Sequence, residues 1–172
     1  MSARRRGDRP ANAAQRRSAN LPRGKSRAPP SAAGWTDIVV AVVCDGDDVL
    51  VTRRAAGTHL GDFDEFPGGK REGDEALEAA CVREVREETG IAIAVEKLLA
   101  ASWFEGDGKR LALSFFACRP IGSREPTPEA AKSRAARWVA RRELATLRFP
   151  PANAQVVAQL VAAPSTSRSE LA

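Results

Sequence analysis

The segment EALEAACVREVREET, Glu75 to Thr89, constrains the fold more than any other part of the chain. At the 100° step of an α-helix, Leu77, Cys81 and Val85 recur every fourth position and form one apolar stripe. Gly90 follows as the residue that stops the helix, because only glycine enters a left-handed cap without penalty. Glu84, Glu87 and Glu88 stand at i, i+3 and i+4, on one arc beside the stripe. Arg86 lies opposite, where a merely solvating face belongs. Carboxylates held this close repel one another and raise one another's pKa values unless a cation joins them. Two readings follow: a well-solvated charged face with pairs such as Arg83–Glu87, or an oxygen-rich cradle for a hard ion such as Mg2+ or Mn2+.

Around this helix the sequence reads as one domain with spare length at both ends. Of 172 residues, 43% are apolar, enough for a core, and no run approaches the roughly 18 apolar residues of a membrane span. The basic character is local. Residues 1–34 hold eight Arg and one Lys against Asp8 alone, with no Val, Ile or Phe and a single Leu. Such a segment buries too little apolar surface to offset its ordering entropy, so a disordered tail is expected. It suits weak, non-specific polyanion binding, a transit peptide or no role at all. The rest of the chain is mildly acidic. Three cysteines (Cys44, Cys81 and Cys118) lack metal-clip spacing and suit buried thiols in a reduced, cytoplasmic interior.

Order is expected from Trp35. TDIVVAVVC is an apolar, β-branched strand, DGDD a turn, and VLVTRR the returning strand of a hairpin. After the helix come strands at Ile91–Val95, Lys97–Glu105 and Arg110–Arg119, a loop, a strand at RWVA, a short helix from Arg141 to Leu147, and a last helix from Ala152 to Ala163. This order predicts an α+β fold, a mixed sheet sandwiched by helices, over residues 35–164, with 165–172 frayed.

Gly69, Glu75, Arg83-Glu84-Val85, Glu87-Glu88 and Gly90-Ile91 fill all nine specified positions of a 23-residue signature, and the chain thereby resembles the Nudix family. The resemblance implies a loop–helix–loop that holds divalent metal against a diphosphate. Glu84, Glu87 and Glu88 would be ligands with the Gly68 carbonyl, Glu75 would brace the loop, and Arg83 would orient its neighbours. VTRRAAGTHLGDFDEFPGGK and the distal FPPAN are similar to the MutT branch, which hydrolyses oxidised guanine nucleotides such as 8-oxo-dGTP. That resemblance assigns Arg54, His59, Phe66 and Asn153 to the nucleotide, and Phe104 and Leu113 suit the same pocket. Read by themselves, these are equally a surface cation, a loop histidine, a core ring and a helix cap. The branch adds a glutamate from the loop before the Trp-containing strand. Here that loop is longer and holds Glu125 and Glu129, of which Glu129 fits better as a metal ligand.

The expected protein is a monomeric nucleoside triphosphate pyrophosphohydrolase. A pyrimidine nucleotide such as modified dCTP is an alternative substrate. The chain has no Tyr and so lacks the tyrosine marker of the dinucleoside polyphosphate branch. A non-catalytic nucleotide- or nucleic-acid-binding module is the reading from another class, and such modules usually lose a signature glutamate, which this chain has not.

Overall fold

A computed structural model describes residues 34–53, 63–106, 108–127 and 135–164. The expectations for the basic tail to residue 33, for Arg54, His59 and Glu129, and for residues 165–172 lie outside them. Among the described residues the chain builds seven strands and two α-helices. In order these are β1 (Thr36–Asp45), β2 (Asp48–Arg53), β3 (Asp64–Glu65), β4 (Gly68–Lys70), α1 (Leu77–Thr89), β5 (Ile93–Gly106), β6 (Lys109–Pro120), β7 (Ala135–Ala140) and α2 (Ala154–Ala162). Arg141–Thr146 and Pro151–Asn153 form 3-10 turns before α2.

β1 is the axis because it is apolar on both faces. One edge runs parallel to β6 from Thr36↔Leu111 to Val43↔Cys118. The other pairs antiparallel with β4 at Ile38–Val40 and with β2 at Cys44–Asp45. β5 closes the sheet on β6, while β2 carries β3 and β7 in a second antiparallel group. Alternation along β1 then assigns its side chains to two cores. Val39, Ala41 and Val43 pack under α1 with Ala80, Cys81 and Val85. Val40 and Val42 pack on the other face with Phe66, Leu144 and Val156. A mixed sheet thus lies between α1 and α2, as its residue pattern predicts.

Four local expectations change. The β1–β2 hairpin shrinks to two residue pairs, since the main partner of β2 is β7, six pairs long. Ile91–Val95 and Lys97–Glu105 are one strand, β5, in which bulges at Val95/Lys97 and Leu98/Ala100 absorb the break in alternation. The helix starts at Leu77 rather than Glu75, because Ala76 is extended at ψ 147° and the Glu75 carboxylate accepts the Glu72 amide of the preceding turn. The segment Arg141–Leu147 winds as a 3-10 turn. Cys81 and Cys118 are buried free thiols with sulfurs 4.0 Å apart, and their mutual hydrogen bond followed by burial pushes the Cys118 thiol well above its usual range. Cys44 is half-buried and burial raises it too.

Gly90 caps α1 at φ 75°, its N–H bonded to the Arg86 carbonyl. A Cβ there would collide with the Thr127 side chain, whose own backbone N–H bonds the Thr89 carbonyl at 3.0 Å. Gly90→Ala should therefore lose at least about 1–2 kcal/mol, the cost of a left-handed L-residue, read as a lower urea midpoint with an unchanged slope.

Candidate active site

The site is assembled by pairing β4 to β1. Pro67 accepts a hydrogen bond from the Ala41 amide, and Gly68–Lys70 lies along Ile38–Val40. A side chain at the first of these positions would meet backbone, and one at the second would displace a carboxylate of the helix. A Cβ on Gly68 would strike the Val39 carbonyl, and one on Gly69 would fall into the Glu84 carboxylate. The two glycines thus let a strand edge and a helix face approach to backbone distance. Gly68 meets the helix through its amide, which donates to Glu88 Oε2 at 3.0 Å, whereas the resemblance assigns its carbonyl to a metal.

Arg83 holds the carboxylates together. Its guanidinium bonds Glu75 at 2.7 Å, Glu84 at 3.0 Å and Glu87 at 3.3 Å, and donates to the Lys70 carbonyl at 3.1 Å. Glu75 also accepts the Glu72 amide at 2.9 Å, which ties down the turn that leads into α1. The multiple bonds push the Arg83 guanidinium above its already high range, and the Arg83 bond followed by the Glu72 amide holds the Glu75 carboxyl below its usual 4.5. Arg83 thereby offsets the repulsion expected of this helix, and the Arg83–Glu87 pair of the solvated-face reading is present.

The three glutamates of one arc are not equivalent. The Glu84 side chain is 14% exposed, its carboxylate against Gly69 of β4, and that of Glu87 is 60% exposed. Among the described residues, no three His, Cys, Asp or Glu side chains converge as a metal-binding cluster. Arg83 reaches between Glu75, Glu84 and Glu87 and keeps their carboxylates as its own partners. The donor chemistry still suits a hard cation: carboxylate oxygens, with glycine backbone against Glu84. A polar cavity of about 550 Å³ opens beside Glu84, lined by Trp35, Asp37, Lys70 and Arg71 among others. Arg71 there is committed to Asp37 at 2.9 Å.

The family profile of the NUDIX domain matches residues 35–160, which include all of these elements. The chain belongs to the Nudix family. It is a Nudix hydrolase with MutT-like relatives. It is similar to the 8-oxo-dGTP diphosphatase of Escherichia coli (strain K12), 34% identical over 116 residues that cover 67% of this chain and 88% of that protein. A CTP pyrophosphohydrolase of the same organism is 36% identical over 73 residues, covering 42% of this chain and 54% of its own. Among solved structures, a MutT from work on the Aliivibrio salmonicida and Vibrio cholerae proteins superposes with a TM-score of 0.57 at 32% identity. That match covers 75% of this chain and 98% of that one.

The remaining sequence candidates sit on the opposite core or at its margin. Phe66 is 3% exposed and packs on Phe149, ring centroids 4.9 Å apart at 32°. It is a core residue here rather than an open platform for a purine, because its ring points into the Val40–Val42 side of the sheet. Asn153 is 6% exposed and precedes α2, yet its side chain makes no capping hydrogen bond. Phe104 is exposed near the end of β5, and Leu113 borders the second core. Two contributions escaped sequence reasoning: the Gly68 amide and the Lys70 carbonyl. Both come from backbone, for which the only sequence signal is the glycine pair itself.

The Glu75 shift has a definite sign. A carboxyl held below 4.5 in the folded chain stabilises the fold fully above that ordinary value, and the contribution fades as pH falls through the lower folded-state value. Carboxyl-carbon NMR titration should place Glu75 below the ordinary range, and Arg83→Gln should return it toward 4.5.

Proposed function

We propose that the chain hydrolyses a nucleoside triphosphate to the monophosphate and pyrophosphate in a divalent-metal-dependent reaction, and that oxidised guanine nucleotides are its preferred substrates. The observation that carries the chemistry is the carboxylate row of α1 set against the side-chain-free edge of β4. Glu84, Glu87 and Glu88, with backbone near Gly68, are the groups that would hold Mg2+, or Mn2+ in its place. When bound, the cation supplies charge neutralisation at the diphosphate oxygens and acidifies water.

The chain's own residues do the rest. Arg83 holds Glu84 and Glu87 beside Glu75 and offsets the mutual repulsion of these carboxylates. Water forms a bond to phosphorus, the bridging P–O bond breaks toward the leaving group, and one carboxylate of the row takes the proton. Lys70 lines the cavity beside Glu84 and offers a cation to an anionic phosphate chain. Arg54, His59 and Glu129 complete this proposal as two nucleotide contacts and one further metal ligand.

Support for the oxidised base comes from relatives named 8-oxo-dGTP diphosphatase and from Asn153. An uncapped, nearly buried amide that donates and accepts at once suits the edge of an oxidised guanine. Hydrolysis of such nucleotides would keep them out of DNA and so prevent mutation. The similarity to a CTP pyrophosphohydrolase favours a second reading, in which a cytosine nucleotide is preferred.

A panel of nucleoside triphosphates with Mg2+, assayed for pyrophosphate release, separates the two. The highest kcat/KM should belong to 8-oxo-dGTP, and a preference for dCTP or its modified forms would establish the second reading. Glu84→Gln and Glu88→Gln should each lower kcat by at least about 10²-fold, as loss of metal-held charge stabilisation does, while the folded far-UV spectrum persists. Near-normal turnover in both would refute the metal assignment. Asn153→Ala should weaken 8-oxo-dGMP binding by roughly 1–3 kcal/mol and abolish discrimination against dGMP in calorimetry. A variant that only melts earlier would make Asn153 structural.

A further inference from the structure

Asp64 is buried to 4% exposure in a two-residue strand, an expensive place for a carboxylate. Its position joins three separate stretches of chain. β3 pairs with β2 through Arg53↔Asp64. The Asp64 carboxylate takes a hydrogen bond from Arg137 on β7 at 2.7 Å, with the rest of the Arg137 side chain reaching solvent. The Asp64 amide donates to the Arg148 carbonyl at 2.8 Å, in the segment that ends at Asn153. Flanking contacts repeat the same connection: the Arg148 guanidinium lies 4.7 Å over the Phe63 ring, and Phe66 packs on Phe149. Beyond them, the Asn153 backbone N–H donates to the Pro150 carbonyl at 2.9 Å, which closes Pro150–Asn153 into one turn ahead of α2.

We propose that the Asp64–Arg137 ion pair is a positioning clasp for base specificity: it sets the position of β3 against β7, and with it the 147–153 segment that presents Asn153. The inference rests on the reading of Asn153 as the group that meets the base. A buried ion pair adds little net stability, since desolvation offsets its attraction, but it is directional where an apolar contact slides. Discrimination between two guanines that differ at one edge needs that directionality, because an amide displaced by even a fraction of a hydrogen bond length loses the bond. The carboxylate row stands on α1, whose apolar stripe packs in the core on the other face of β1. Loss of the clasp therefore acts on base choice and leaves the phosphate chemistry in place.

The test compares 8-oxo-dGTP with dGTP, with Mg2+, in the full-length protein. Asp64→Asn keeps the backbone amide and the shape, and frees Arg137 to turn to solvent. It should raise KM for 8-oxo-dGTP at least about fivefold, leave kcat for dGTP within about twofold, and shrink the preference for the oxidised base. Arg137→Lys, which restores a cation, should keep most of that preference. The double variant Asp64→Leu/Arg137→Leu replaces the pair with apolar bulk and, should Asp64→Asn fail to fold, carries the same expectation of lost preference. Asn153→Ala is measured beside them. If Asn153→Ala loses the preference while Asp64→Asn or the double variant retains it, the clasp is refuted and base recognition by Asn153 stands. If Asn153→Ala retains the preference, the base-recognition reading falls, and the clasp falls with it.

Discussion

The guanidinium of Arg83 is the interaction on which the rest of the site depends. It reaches one residue ahead to Glu84, a turn ahead to Glu87, back to Glu75 and across to the Lys70 carbonyl. A helix with this many acids on one arc is costly by itself, and a single planar cation with five donors satisfies several of them at once. A lysine offers one point charge and could not hold four oxygen partners in fixed directions. The same bonds tie the helix to the turn before it and to β4, so one side chain makes electrostatics and geometry inseparable.

The second constraint is steric. β4 lies this close to β1 only because residue 68 carries no side chain, and Gly69 leaves the space that the Glu84 carboxylate occupies. That close approach turns backbone into site: an amide holds Glu88 and a carbonyl holds Arg83. Gly69, the first residue of the signature, serves packing here: a Cβ there would fall into the Glu84 carboxylate. The sheet has two distinct faces: the helix that carries the glutamates packs on Val39, Ala41 and Val43, while Phe66, Leu144 and Val156 pack with Val40 and Val42 on the other face of the same strand.

Legibility in the sequence followed the range of the forces involved. β1, α1, β6 and β7 show their own alternation or period, and they form within a residue or two of expectation. β3 and β4 show none. They hold two and three residues, and they are strands only because β2 and β1 lend them partners. β5 read as two strands because Glu96 interrupts its pattern, and a bulge rather than a turn absorbs it. Phe66 read as a ring for a base or a ring for the core, and the choice awaited Phe149, which lies over eighty residues away and meets it at 4.9 Å.

By itself the sequence determined the helix, its stop at Gly90, the family, and the row of Glu84, Glu87 and Glu88 beside an apolar stripe. The helix, its stop and the row are set within about four residues by helical period and backbone preference, whereas the family shows in nine positions spread over 23 residues. Only the tertiary structure decided that the Gly68 amide holds Glu88, that Glu87 faces water while Glu84 is covered, and that Asp64 finds Arg137 from seventy-three residues away. Those outcomes depend on which strands pair and how closely they pack. No local period encodes that, because a buried charge or an unpaired amide takes its partner from whichever segment the completed sheet brings within reach.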